Sequence, residues 1–298
     1  MKILNTDLRI IPRTFQEKLS DNGNLILALT GLTAVYLVLH LVFGRFELPA
    51  YDAYTYMSFA EHYAESWFTT VIDQQAHGLE IGSYPPLVFQ VMALLSLVPG
   101  LGLKLIYIGM MCIGLTGLSY SFHLVSSEMI GFEPEENLEI LAMIGLSTGL
   151  LKFSLVHGQL TLMIGLTFGF LSSKYLVQII EGRQKMALLA ASLSLTGFLH
   201  HFSLLITLII SAVIVLMNLE ETVRRINYLL PPAISSAVIG LIGLYPVIVE
   251  TLFGISQGVI FHGSRNPFQS LEIFNQYILS SYGLSLLGIF LGYRKKKK

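Results

Sequence analysis

The chain is a succession of long apolar runs with few charges inside them, at 25–43, 103–124, 138–156, 160–180, 186–217, 229–253 and 274–293. An α-helix rises about 1.5 Å per residue, so about 20 apolar residues cross a hydrocarbon core of about 30 Å. Charged residues make up only 12% of the chain and hydrophobic ones 53%, whereas soluble domains carry about a quarter charged residues. With a mean hydropathy of +0.67, this composition predicts a polytopic membrane protein. The net charge of −1 says nothing about nucleic acid, and no interleaved basic patch points to such a partner. Cys112 stands alone in an apolar run and reads as a small buried residue, with no disulfide open to it within one chain.

Basic residues set the expected topology. Lys2, Arg9, Arg13 and Lys18 place the segment 1–24 in the cytoplasm, and 25–43 then crosses outward as a signal-anchor. The twelve residues 87–98, ended by Pro99-Gly100, would rise only about 18 Å. We read them as a half-membrane helix that completes one inward crossing with 103–124. Arg183 and Lys185, then Arg224 and Arg225, then the run 294–298 all fall on the cytoplasmic side under one arrangement. In it 138–156 goes out, 160–180 comes in, 186–217 is a pair of short helices hinged at His200-His201, 229–253 goes out and 274–293 returns. The expectation is an all-α, multi-pass cell-membrane protein of about eight transmembrane helices. It has a single transmembrane domain over 25–293, a basic cytoplasmic tail over 294–298, and both termini in the cytoplasm.

The first outer loop, 45–86, is the polar exception. It holds six carboxylates (Glu47, Asp52, Glu61, Glu65, Asp73, Glu80) and the only tryptophan, Trp67; after Arg45 it has no Lys or Arg. Over 52–68 the residues Tyr56, Phe59, Ala60, Tyr63, Ala64 and Trp67 recur at helical spacing with Glu61, His62 and Glu65 between them. This predicts a short amphipathic helix lying in the membrane interface. On the expected topology this loop, His157-Gly158-Gln159, His200-His201 and the loop 262–267 with Arg265 all reach the outer face. Polar groups near membrane depth are costly and usually line a cavity or path.

An N-terminal span, an outer loop beginning with Asp52, an amphipathic helix and Tyr84-Pro85-Pro86-Leu87 opening a short helix together resemble the GT-C superfamily of membrane glycosyltransferases. In finer detail the chain resembles archaeal membrane proteins labelled "6-pyruvoyl-tetrahydropterin synthase-related", whose later elements match Gly158-Gln159-Leu160-Thr161 and His200-His201. The resemblance implies transfer of a sugar from a polyprenyl-phosphate donor to an acceptor hydroxyl on the extracytoplasmic side. Its partners would be the lipid-linked donor, membrane lipids and, in some arrangements, a membrane partner subunit.

That chemistry assigns roles. The attacking hydroxyl must lose a proton, and Asp52 is the candidate base; its other reading is an N-cap for the following helix. The departing phosphate needs cations or donors. Arg265 is the first choice and Arg45 the second; each also reads as an ordinary loop or interfacial residue. His200, His201, His157 and Gln159 could donate to phosphate or acceptor, or serve as interhelical hinges and bonds. Tyr84 and Trp67 complete the substrate side, Trp67 and nearby tyrosines either stacking on sugar or forming an interfacial belt. Asp52 with Glu47 could hold Mg²⁺ or Mn²⁺, although no Asp-X-Asp pairing is present. Two rivals stand beside the enzyme: a non-catalytic GT-C-like subunit, because no carboxylate adjoins His157-Gly158-Gln159, and a transporter of lipid-linked sugars.

Overall fold

The computed structural model describes residues 23–43, 53–67, 72–73, 79–80, 86–130 and 159–253. In chain order these form α1 (Gly23–Phe43), α2 (Ala53–Glu65), β1 (Ile72–Asp73), β2 (Leu79–Glu80), α3 (Leu87–Ser96), α4 (Leu103–Ile130), α5 (Leu160–Ile180), α6 (Met186–Leu199), α7 (His201–Met217), α8 (Leu219–Arg224) and α9 (Ile226–Phe253). The only strands among the described residues are an antiparallel pair, Ile72 opposite Glu80 and Asp73 opposite Leu79. Two helices, α4 and α5, are long and apolar enough to cross a membrane. The expected spans 138–156 and 274–293, most of the segment 1–24 and the tail 294–298 lie outside the described residues.

Helix α5 is the centre of the bundle. Against α4 it packs through small residues: a Cβ added at Gly114 would lie 3.2 Å from Ile164, and one at Gly117 would lie 3.1 Å from Thr167. One turn further along, Phe122 meets Phe170 edge to face at 5.1 Å, and Glu128 at the end of α4 bonds Gln178 of α5 at 2.6 Å. These contacts advance together along both helices, so α4 and α5 run in the same sense. Helix α4 therefore ends at the opposite end of the bundle from the start of α5.

Helices α6 and α7 form a hairpin on α5. Its joint is His200, whose extended backbone (φ −166°, ψ 120°) interrupts helix between Leu199 and His201. Ser203 beside the joint bonds the carbonyl of Leu162 at 3.1 Å, and Thr207 faces Gly169. The 160–165 end of α5 thus lies at the hairpin apex. Helix α9 then runs back beside α6, where Ser236 donates to the Ala190 carbonyl at 3.2 Å. At the other end of α5 the chain turns through a Schellman motif. Arg183 N–H reaches Gln178 O at 2.8 Å and Gly182 N–H reaches Ile179 O at 2.9 Å, with Gly182 in the left-handed region at φ 98°.

One boundary differs from the sequence-based expectation, and the packing of α2 adds what the sequence pattern leaves open. Helix α4 continues past 124 to Ile130 because its polar end is satisfied inside the bundle: Ser126 bonds Phe122 O, Ser127 bonds His123 O, and Glu128 has two partners on and just after α5. The apolar stripe of α2 is turned inward onto the bundle. Tyr56, Phe59, Ala60 and Tyr63 are all buried, and Tyr56 and Phe59 pack on Phe89 of α3 at 5.3 and 5.1 Å.

Candidate functional site

Three segments far apart in sequence meet at the 160–165 end of α5. The first is α2, which begins at buried Ala53, the residue after Asp52. Its Tyr56 hydroxyl lies 3.4 Å from Thr161 Oγ1 at the start of α5. The second is that start itself, where Gln159 is the N-cap residue with no side-chain cap bond and its carbonyl accepts from Met163 N–H. The third is the hairpin joint. A Cβ added at Gly165 would lie 3.1 Å from His200 Cβ, so the joint presses directly on α5. Trp67 sits just beyond α2, half-buried, with its carbonyl accepting from Gln90 of α3 at 3.1 Å.

The two histidines of the joint are not equivalent. His200 is 7% exposed and caps α7, its Nδ1 accepting from Ser203 N–H at 3.2 Å. A ring that accepts at Nδ1 carries its proton on Nε2 and is neutral. Burial, with His201 adding to it, pushes the His200 imidazole down to about 3. A phosphate-neutralising charge therefore does not come from His200, which can offer only the Nε2–H. His201 stacks on it at 5.1 Å and is exposed, so it is the histidine placed to meet a ligand.

The neutral cap has a consequence for stability. Between the ordinary histidine value of about 6.5 and about 3, the unfolded chain binds a proton that the folded chain refuses. Stability is therefore complete above about pH 6.5 and falls as pH is lowered, by up to about 1.4 kcal/mol per unit. His200→Asn keeps a capping side chain and removes the titration. Melting curves of the detergent-purified chain from pH 7.5 to 4.5 should show a flatter acid limb for the variant. Superimposable profiles would refute the assignment.

The remaining predicted site residues, Asp52, Glu47, Arg45, Tyr84, His157 and Arg265, lie outside the described residues. Glu61 and Glu65 are exposed on α2 and His62 is half-buried beside Tyr63. Among the described residues no three His, Cys, Asp or Glu side chains are grouped to hold a metal ion. Comparison with protein-family models, with curated proteins and with solved structures returned no match, so the site is read from its residues alone.

Sequence reasoning missed a second polar cluster at the far end of α5, where Glu128, Lys174, Gln178 and Arg183 come together. The signal was there. His123, Ser127 and Lys174, Gln178, Glu181 recur at helical i, i+4 and i+7 spacing on otherwise apolar helices. Arg183 and Lys185 had been read only as markers of the cytoplasmic side.

Proposed function

We propose that the chain is a polytopic membrane glycosyltransferase of GT-C type, acting on the extracytoplasmic side. The acceptor hydroxyl attacks the anomeric carbon of a polyprenyl-phosphate sugar while Asp52 takes the hydroxyl proton. The bond from the anomeric carbon to the phosphate oxygen breaks, and the polyprenyl phosphate leaves. Arg265 and His201 hold the departing phosphate, with His200 Nε2–H as a neutral donor. The observation that carries this reading is the meeting of α2, the start of α5 and the His200 joint at one end of the bundle. Asp52 immediately precedes α2, Gln159 opens α5, and His201 is exposed next to His200 at the joint.

The test is transfer in membranes containing the folded chain, offered a panel of polyprenyl-phosphate and polyprenyl-pyrophosphate sugars with a mixed acceptor pool. Transfer from at least one polyprenyl-phosphate donor is expected. None from any donor would remove the enzyme reading. A second reading, a carrier of lipid-linked sugars, is favoured by the ionisable residues His123, Glu128 and Lys174 within α4 and α5. It predicts transbilayer movement of a labelled donor with its sugar bond intact.

A further inference from the structure

At the end of the bundle opposite His200, α4, α5 and the turn after α5 border an open cavity of about 260 Å³. Leu124, Ser127, Glu128, Lys174, Glu181 and Arg183 line it. Most of its charge is already committed. Glu128, with its side chain 12% exposed, accepts from Gln178 Nε2 at 2.6 Å and pairs with Arg183 at 2.6 Å. Arg183 also reaches Glu181 at 3.0 Å. The Schellman turn at Gly182 holds both Glu181 and Arg183 against the cavity.

Lys174 stands apart from this network. It is half-buried on α5, and among the described residues no carboxylate oxygen lies within ion-pair distance of its ammonium group. Two cations (Lys174, Arg183) and two carboxylates (Glu128, Glu181) line the cavity, and both carboxylates are engaged by Arg183, which leaves the Lys174 ammonium as the charge without a close counterion among the described residues. Behind Ser127 lies His123, buried, with its Nδ1 unpartnered among the described residues. A half-buried ammonium without a close counterion, facing a cavity with an arginine in the same lining, calls for an oxyanion.

We propose that this cavity binds a phosphate group, with Lys174 as its principal donor and Arg183 beside it. A phosphodiester carries a single negative charge, enough to pair the Lys174 ammonium. Lys174 and Ser127 lie within the last turns of the two helices that are long enough to cross a membrane. On the membrane reading this is the depth of lipid headgroups, where basic pockets between helices seat phospholipids. Leu124 offers an apolar wall for the glycerol and upper acyl carbons. The site is independent of the sugar-transfer reading, since it lies at the opposite end of α5. Only the lipid source of the phosphate rests on the chain spanning a bilayer.

The experiment uses the full chain in detergent and follows acetylation of Lys174 by an amine-reactive ester, read by peptide mass spectrometry. Lys104, exposed at the start of α4, is the internal control. The added probes are dioleoylphosphatidylglycerol, inorganic phosphate, glycerol phosphate and, as a lipid without phosphate, dioleoylglycerol. The phosphodiester lipid should slow Lys174 labelling at least about ten-fold and leave Lys104 unchanged, in line with occupancy of a saturable site. Equal protection by inorganic phosphate would keep the oxyanion site and assign its occupant to soluble phosphate. Equal protection by dioleoylglycerol, or none by any phosphate compound, would overturn the proposal. In native mass spectrometry Lys174→Gln should retain at least about ten-fold less phosphodiester lipid than wild type, and Lys174→Arg should retain it. Unchanged retention by a folded Lys174→Gln chain would also overturn it. The labelling arm uses the wild-type chain and so does not depend on any variant folding.

Discussion

An Asp52→Asn chain is expected to lose sugar transfer by about 10²–10⁴-fold, the usual contribution of a positioned general base. In barrier height that is about 3–5 kcal/mol. The substitution is chosen because asparagine separates the two readings of the residue. Asparagine caps a helix as well as aspartate does, so α2, which begins at the next residue, keeps its cap while the proton acceptor is gone. Asp52→Ala removes both and should add a stability loss of about 1 kcal/mol. Transfer by Asp52→Asn at the wild-type rate, with normal melting, would leave Asp52 as a cap and move the base to Glu47, Glu61 or Asp73.

The second large effect concerns how close α7 comes to α5. A Cβ at Gly169 would overlap Thr207 Oγ1 outright, while Thr207 Cβ would lie at an ordinary 3.4 Å. Gly169→Ala should therefore destabilise the detergent-solubilised chain by about 1–3 kcal/mol, the usual penalty of overpacking. Thr207→Ala in the same chain should restore most of that loss, a coupling visible in a double-mutant cycle. At Gly165 the outcome differs. A Cβ there would lie 2.6 Å from Ser203 Oγ and 2.9 Å from Ser203 Cβ, so Ser203→Ala relieves only half of the clash. Gly31, with nothing within 4 Å of an added Cβ, is the control and should tolerate alanine. If Gly169→Ala melts like wild type, the α5–α7 packing described above is wrong.

Much of the helical order was legible in the sequence because apolar length and Pro-Gly breaks are strong local signals. The run from Leu160 to Ile180 and the stop after Ser96 before Pro99-Gly100 follow from them directly. The split of 186–217 at His200-His201 was reached by length, since one helix of that run would be about 48 Å long, and the structure breaks there. What could not be read was tertiary. The end of α4 looks like a departure from the membrane at Ser126-Ser127-Glu128, yet Gln178 and Arg183, distant in sequence, satisfy it. The inward face of α2 has the pattern of an interfacial helix, and only the position of Phe89 decides what it packs against. At the candidate site, the different duties of His200 and His201 depend on which ring nitrogen Ser203 reaches, and adjacency in sequence carries no trace of that.

The hairpin of α6 and α7 has arms of 14 and 17 residues, about 21 and 26 Å of helix. A hydrocarbon layer of about 30 Å is taller than either arm. In a bilayer the headgroup plane must dip to meet the His200 joint, at a modest cost per ångström of mismatch. Such a dimple would bring water and lipid phosphates down to the histidines on one side of the protein while the bilayer elsewhere keeps its full depth.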